Sequence, residues 1–522
     1  GDHAFEVRWN GDLLGLAEVT DTASATATLT VDPTLITGAD RVELHAIDGD
    51  LAFVDAFELT YDRQARAFED RLTLGSVDGG SVTSAGGFGS ASVVGFEISN
   101  PLRPRVLSLT TVPDDGGYRA LWQTRDGERF HLTTADGFRT PTSVIGDHPA
   151  DLRTEPGTPI DYLVIAAPSL IDAASDLADY RAGRGLTTAV VSLDEVHDAF
   201  AGGLADPRAV RDYLSHLAST WTTPPRFVVL VGHGTYDYLD HWGFGDNLVP
   251  PLMDVQDGSL YPSDTAFADP DGDGVLDFAL GRLPILDAAE LQTYLAKVMA
   301  YEAGGDTAWD HRVLLLADQA DAGGNFPVDN DALRALLPNG AEVIDVSLDD
   351  QPDVATARAM LFDALATGSA WTHFGGHGAV DRLAAEQLLA SSDVPTLPNP
   401  GRPTILSAVS CTVGIHAVPG IDALAEDLVL AADRGAVAVV APAWLSQNPR
   451  TRVLADRLFR QVFQLGTTTL GDAFRSAVAS AAALGEPDAQ LRAYQLIGDP
   501  ALEVQWTPEP PLPCSVDCGG SG

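Results

Sequence analysis

Residues 404–414 read Thr404-Ile-Leu-Ser-Ala-Val-Ser-Cys-Thr-Val-Gly414. The apolar run at the start has the character of a buried strand, and it delivers Cys411, the only cysteine outside the C-terminal tail, at its tip. Working outward, a second apolar run at 370–374 leads into Gly375-Gly376-His377-Gly378, and a third follows at 436–441. Further runs lie at 312–317 and 342–345 and, nearer the amino terminus, at 162–166, 188–192 and 227–231. Helical patterns separate most of them, among them 170–185, 207–220 and 288–303. Strands alternating with helices imply right-handed crossovers and a mostly parallel sheet covered on both faces. An α/β region is therefore expected from about residue 155, in two subdomains, 155–305 and 306–508, that the helix 288–303 would join.

Sites in open α/β sheets form where strands end and loops turn outward. His377 and Cys411 both stand at such ends, one strand apart in the order of the chain. A thiol and an imidazole delivered side by side are the parts of a cysteine nucleophile and its base. Glycines around His377 leave N–H groups unhindered, so the amides of Gly378 and Cys411 are the expected oxyanion hole. Val229-Leu-Val-Gly-His-Gly234 is another strand ending in Gly-His-Gly, but no cysteine follows it closely. His377 is accordingly ranked above His233. His416, five residues beyond the nucleophile, is an alternative imidazole, otherwise read as a pocket-rim residue.

Composition narrows the partners. Acids outnumber bases by 74 to 31, a formal net charge of −43, so a nucleic-acid or anionic-membrane partner is excluded by repulsion and cations are favoured. Only one base is a lysine, Lys297. No apolar stretch approaches the roughly 18 residues of a membrane span. Residues 1–150 read instead as short alternating β runs, 5–9, 26–30 and 41–45 among them, broken by Asn-Gly, Asp-Gly and Gly-Gly turns. A sandwich is expected there, with a second small sheet from about 90 to 148. His3, His45, His131 and His148 are scattered through it without partner spacing. The tail 509–522 is rich in Pro and Gly, is expected to be flexible, and holds Cys514 and Cys518, for which a local disulfide is the favoured reading. The chain begins with Gly and carries no signal sequence, so a trimmed mature fragment is expected.

Asp269-Pro-Asp271-Gly-Asp273-Gly-Val275-Leu-Asp277 places carboxylates at relative positions 1, 3, 5 and 9, with Gly at 6 for the turn and the Val275 carbonyl at 7. This is the pattern of a hard-cation loop, so Ca²⁺ is expected, with Asp269, Asp271, Asp273, Val275 and Asp277 as ligands. Position 12 is Leu280, so the loop is not an EF-hand.

Taken in order, these blocks resemble the gingipain family of cysteine peptidases. The likeness runs through 374–378, 405–414, Ala425-Glu-Asp-Leu428, 436–442 and Leu496-Ile-Gly-Asp-Pro-Ala-Leu502. Upstream it includes 230–237, Tyr261-Pro-Ser-Asp264 and Gly281-Arg-Leu-Pro284, so it spans about 155–506. The resemblance implies a caspase-like α/β fold with the dyad in the second subdomain, endopeptidase action on protein or peptide substrates, and a secreted or cell-surface location. It also implies an acid that orients the imidazole, Asp321 in preference to Asp318, and a structural role for Ca²⁺ with no organic cofactor. Relatives that cleave after Arg or Lys place an acid in the S1 pocket; Asp329 or Asp331 lies in about the right region, and Trp444 is a candidate pocket wall. Two competing functions are a sortase-like transpeptidase of a secretion system and a Ca²⁺-dependent surface binding protein with an inactive peptidase-like scaffold.

Overall fold

A computed structural model describes residues 2–20, 25–47, 56–61, 63–75, 82–101, 103–141, 151–256, 258–304, 309–486 and 488–506. His148, the tail 509–522 and the Cys514–Cys518 pairing lie outside the described residues. The chain divides into two compact units, residues 1–18 with 26–147 and residues 19–25 with 148–522.

The first unit is built of small antiparallel sheets. Arg71–Leu74, Phe130–Thr133, Val94–Glu97 and Arg105–Val106 form one, and Val82–Phe88, Gly117–Gln123 and Thr110–Asp114 another. Leu72, Phe130 and Leu132 from the one and Ala85, Phe88, Ala120 and Trp122 from the other share a single apolar core, so this part is sandwich-like. Asp12–Thr20, Asp2–Trp9 and Val42–Ala46 make a separate three-stranded sheet. The alternating run 26–30, expected as a strand, belongs to no sheet. Period-2 alternation alone does not make a strand where no neighbour offers its ladder.

The second unit centres on ten strands: β1 (Tyr162–Ala166), β2 (Thr188–Ser192), β3 (Phe227–Val231), β4 (Ala279–Leu283), β5 (Arg312–Ala317), β6 (Glu342–Ser347), β7 (Trp371–Gly375), β8 (Thr404–Val409), β9 (Ala436–Pro442) and β10 (Tyr494–Ile497). Their order across the sheet is β2-β1-β3-β4-β10-β9-β8-β7-β5-β6. The sheet is mostly parallel, with β10 antiparallel to β9. The two expected subdomains are thus halves of one sheet, closed where Arg282 of β4 pairs with Ile497 of β10. In β1, β3, β4, β7, β8 and β9 every residue is buried, which requires cover on both faces and explains the near-continuous apolar sequence of β1, β3 and β9. The expected helices are present as Ile171–Gly183, Arg208–Thr220 and Ala288–Ala303, the last capped by Asp287, whose carboxylate accepts the N–H groups of Ala289 and Glu290.

Charge inside this core is paired. Arg282 in β4 is fully buried, forks onto Asp264 at 2.5 and 2.8 Å, and donates to the carbonyls of Gly232 and Val249. Arg181 binds Glu302 and Asp499, all three buried. Lys297 donates to the carbonyls of Leu428, Val429, Ala431 and Ala436. Burial pulls its pKa down to about 7, against the attraction of Asp433. Among the described residues no helix is long and apolar enough to cross a membrane.

Candidate active site

Register brings the site together. In the β7–β8 pair Gly375 lies opposite Val409, so His377 and Cys411 each stand two residues past the tips of adjoining strands. Gly376 donates its N–H to the Val409 carbonyl at 3.1 Å. A Cβ on Gly378 would stand 2.2 Å from Ser410 Oγ and 2.8 Å from the Cys411 carbonyl oxygen, so only glycine lets the histidine turn close onto the cysteine turn.

On the other side β7 pairs with β5, and the loop after β5 supplies both acids. They do different work. Asp318 is buried and accepts the main-chain N–H groups of His377 (2.9 Å) and Gln319 (2.7 Å), which holds the turn itself. Burial raises its pKa against the pull of those two bonds. Asp321 meets the ring: imidazole Nε2 and Asp321 Oδ2 are 2.9 Å apart, with the two side chains 51% and 47% exposed. That bond and the N–H of Gly323 hold the Asp321 carboxyl below its usual value. Phe326 packs edge to face on the imidazole with ring centres 5.7 Å apart.

Cys411 is half-buried and free. Its sulfur is bonded not to His377 but to the Ser446 main chain, accepting the N–H at 3.4 Å and facing the carbonyl at 3.8 Å. The next residue, Thr412, has φ +49°, a left-handed conformation that costs a β-branched residue energy. Thr412 and Gly414 donate to the carbonyls of Trp444 and Pro442, and Ser446 Oγ to that of Ser410, so the cysteine turn is sewn to the segment after β9. Trp444 is stacked on Tyr261, ring centres 6.3 Å apart and 19° between planes. Ser446, Phe326 and Thr412 have no spacing that marks them in the sequence.

Other expected residues fall elsewhere. Asp329 is engaged by Asn448 (2.8 Å) and Arg452 (3.7 Å) at the edge of a cavity of about 250 Å³ that Gly375 and Val409 also line. Asp331 is exposed and lies 3.8 Å from Arg334. His416 is no pocket-rim residue: it is fully buried, accepts from Gln495 at 2.8 Å and lies 3.6 Å from Asp264. Burial pushes its pKa down to about 3. His233 is buried as well and does not join His377 and Cys411. In the acidic loop, carboxylate oxygens of Asp269, Asp271 and Asp273 lie within 4.8 Å of one another. Gly272 and Gly274 supply the left-handed turn, at φ +74° and +82°. Asp277 is outside that trio; burial first, then repulsion from Asp271, Asp273 and Asp269, raises its carboxyl to about 6.

A largely parallel α/β sheet with a thiol and an imidazole on adjoining strand ends is the architecture of the caspase-like cysteine peptidases. Residues 155–505 match the family model Peptidase family C25, well over half of the chain, and the protein belongs to that family. Among solved structures it is similar to the Arg-specific cysteine proteinase gingipain R, RgpB (19% identity, TM-score 0.56, covering 66% of this chain and 80% of that one). It is similar also to the complex of the Porphyromonas gingivalis RgpB pro- and mature domains (18%, 0.55, covering 66% and 79%). Dimeric latent PorU from Porphyromonas gingivalis aligns over 97% of this chain and 47% of its own (15%, 0.51). At these identities the likeness is one of fold. Among curated proteins none matches. The family assignment makes the protein a cysteine peptidase by descent.

Proposed function

We propose that the protein is an endopeptidase in which Cys411 attacks the scissile carbonyl and His377 is the general base and acid. The observation that carries the reading is the fit of Gly378 against the Cys411 carbonyl, which sets the two turns edge to edge. With Nε2 held by Asp321, Nδ1 is the nitrogen left to take the thiol proton. Rotation of the Cys411 side chain away from Ser446 presents sulfur to substrate and imidazole. The resulting thiolate is stabilised by the imidazolium, and it adds to the carbonyl while the N–H groups of Gly378 and Cys411 receive the developing oxyanion. His377 then protonates the leaving amine, and water activated by the same imidazole hydrolyses the thioester. Asp321 orients the ring; Asp318 positions the turn.

Trp444, standing on Tyr261 beside the cysteine turn, is proposed as a wall of the substrate cleft. Asp329 is proposed as the S1 acid; a cationic P1 side chain must displace Arg452 to reach it. The acidic loop is proposed to hold a structural Ca²⁺ through Asp269, Asp271 and Asp273, with Asp277 and the Val275 carbonyl completing the shell. A cation there relieves the repulsion that raises Asp277. A secreted or cell-surface location is inferred with the family.

The test is cleavage of a peptide library by wild type and Cys411→Ala, with and without a chelator. Cleavage by wild type and none by the variant is expected, with thermal stability falling on chelation and returning with Ca²⁺. Activity that survives in Cys411→Ala would discard the nucleophile. Products carrying an added amine nucleophile would assign the thioester to transfer in place of hydrolysis.

A further inference from the structure

His233 lies in the turn after β3 and is 3% exposed. Its Nδ1 is 2.9 Å from the Asp246 carbonyl oxygen, an acceptor only, so Nδ1 carries a proton and, in the neutral ring, Nε2 presents a lone pair. Nε2 has no hydrogen-bond partner. It faces Oε1 of Glu426, 3.2 Å away, and that oxygen is likewise buried and without a hydrogen-bond partner. The other Glu426 oxygen accepts the Ala423 N–H at 2.7 Å, which fixes the carboxylate. Asp422 completes the group: one ligand atom from each of His233, Asp422 and Glu426 lies within 4.8 Å of the others.

A neutral imidazole and a buried carboxylate so placed are unfavourable unless something positive, a proton or a metal ion, stands between them. The 3.2 Å separation is close to the roughly 3.3 Å edge that two ligands span around a tetrahedral ion at about 2.0 Å. An imidazole nitrogen with two carboxylates suits a borderline cation rather than Ca²⁺ or Mg²⁺, which take oxygen ligands. The Asp246 carbonyl on Nδ1 is the outer partner that a ligating histidine ordinarily has. We propose that His233 Nε2, Glu426 and Asp422 bind a divalent ion of the zinc type, with the remaining position open to water on the exposed Asp422 side.

The ion joins two loops. His233 comes from the turn after β3, while Asp422 and Glu426 come from the stretch between Cys411 and the end of the helix Leu424–Leu430. Those loops already touch: Tyr236 donates to the Ala417 carbonyl at 3.1 Å and Gly420 to Asp246 Oδ2 at 2.9 Å. The site therefore clips the connection that follows the cysteine turn onto the opposite half of the sheet. It is separate from the acidic loop at 269–277.

The probe is Co²⁺, added to the full chain after chelation with Ca²⁺ kept in excess so that the acidic loop is occupied. Expected are one bound Co²⁺ with visible d–d absorption, no strong near-ultraviolet thiolate band, and displacement by Zn²⁺. Asp422→Asn, a change at an exposed residue, is expected to weaken Co²⁺ binding by about 100-fold or more, as is His233→Gln, whereas Asp271→Asn leaves it unchanged. Zn²⁺ is expected to raise the melting temperature of wild type and Asp271→Asn but not of Asp422→Asn. Failure of wild type to bind Co²⁺ or Zn²⁺ would overturn the site, as would binding that persists in both Asp422→Asn and His233→Gln.

Discussion

Gly232-His233-Gly234 follows β3 and Gly376-His377-Gly378 follows β7, so one turn sequence occurs twice at the ends of parallel strands. After β3 the chain folds back over its own turn. Leu248 and Val249 donate to the His233 carbonyl, and a Cβ on Gly234 would stand 2.0 Å from the Val249 carbonyl oxygen. The glycine serves closure, and the imidazole ends buried. After β7 the glycine serves approach: Gly378 lies against the cysteine turn, and His377 stays half exposed with one nitrogen free for a proton. The tripeptide is the same; what the neighbouring strand brings to the tip decides whether the histidine stays half exposed beside a thiol turn or ends buried.

The comparison breaks first, and with the largest effect, at the proposed nucleophile. Cys411→Ala and His377→Ala are each expected to lower kcat/KM for a cleaved peptide by about 10⁴-fold or more at nearly unchanged melting temperature. Loss of folding in step with activity would instead make these residues structural. Next comes the buried cation behind the first turn. Arg282→Met leaves Asp264 uncompensated and two carbonyls unpaired, so a destabilisation of about 3–5 kcal/mol is expected in urea unfolding; a change under 1 kcal/mol would show that the pairing contributes little.

The two acids behind His377 sharpen the contrast further. Asp321→Asn is expected to lower kcat by about 10- to 100-fold and to leave stability nearly intact, since its carboxylate is half exposed. Asp318→Asn is expected to cost about 1–3 kcal/mol of stability, because one buried group holds two N–H donors. Exchange of these two outcomes would reverse the assigned roles. A pH-dependent loss of stability, absent at neutral pH, belongs to His373 inside β7, whose pKa burial pushes down to about 3 from 6.5. The unfolded chain binds this proton near pH 6.5 and the folded one does not. Its contribution is therefore full above pH 6.5 and is lost as pH falls toward 3, at about 1.4 kcal/mol per pH unit. His373→Gln should remove one proton from the acid limb of the stability profile. Asp331→Asn, at an exposed residue, is expected to shift stability by less than about 0.5 kcal/mol.

The strands that frame the cysteine and histidine turns are legible because β5, β8 and β9 are largely apolar runs and β7 ends in the glycines before His377. β4 and β10 are not, because Arg282 and Gln495 interrupt their pattern. Partners distant in the chain, Asp264 for the arginine and the Gly414 carbonyl and His416 for the glutamine amide nitrogen, bind those side chains, and no local window contains both members of such a pair. The run 26–30 erred the other way, with alternation and no sheet to join. Asp318 and Asp321 stood as alternatives because sequence spacing cannot distinguish a carboxylate aimed at a main chain from one aimed at a ring. Ser446 is invisible for a related reason: it meets Cys411 through its main-chain N–H, which any residue but proline would offer. Asp329 was chosen for its position, and spacing could not reveal Arg452 beside it.

The caged amine of Lys297 turns the protein into its own unfolding reporter. The chain has a single lysine in 522 residues, and its ammonium is enclosed by four carbonyls at the end of one helix and the start of β9. An acylating reagent therefore finds no side-chain amine on the native molecule. Modification at Lys297 requires that the helix Ala288–Ala303 leave β9, so its rate under native conditions times the opening of the sheet at its centre.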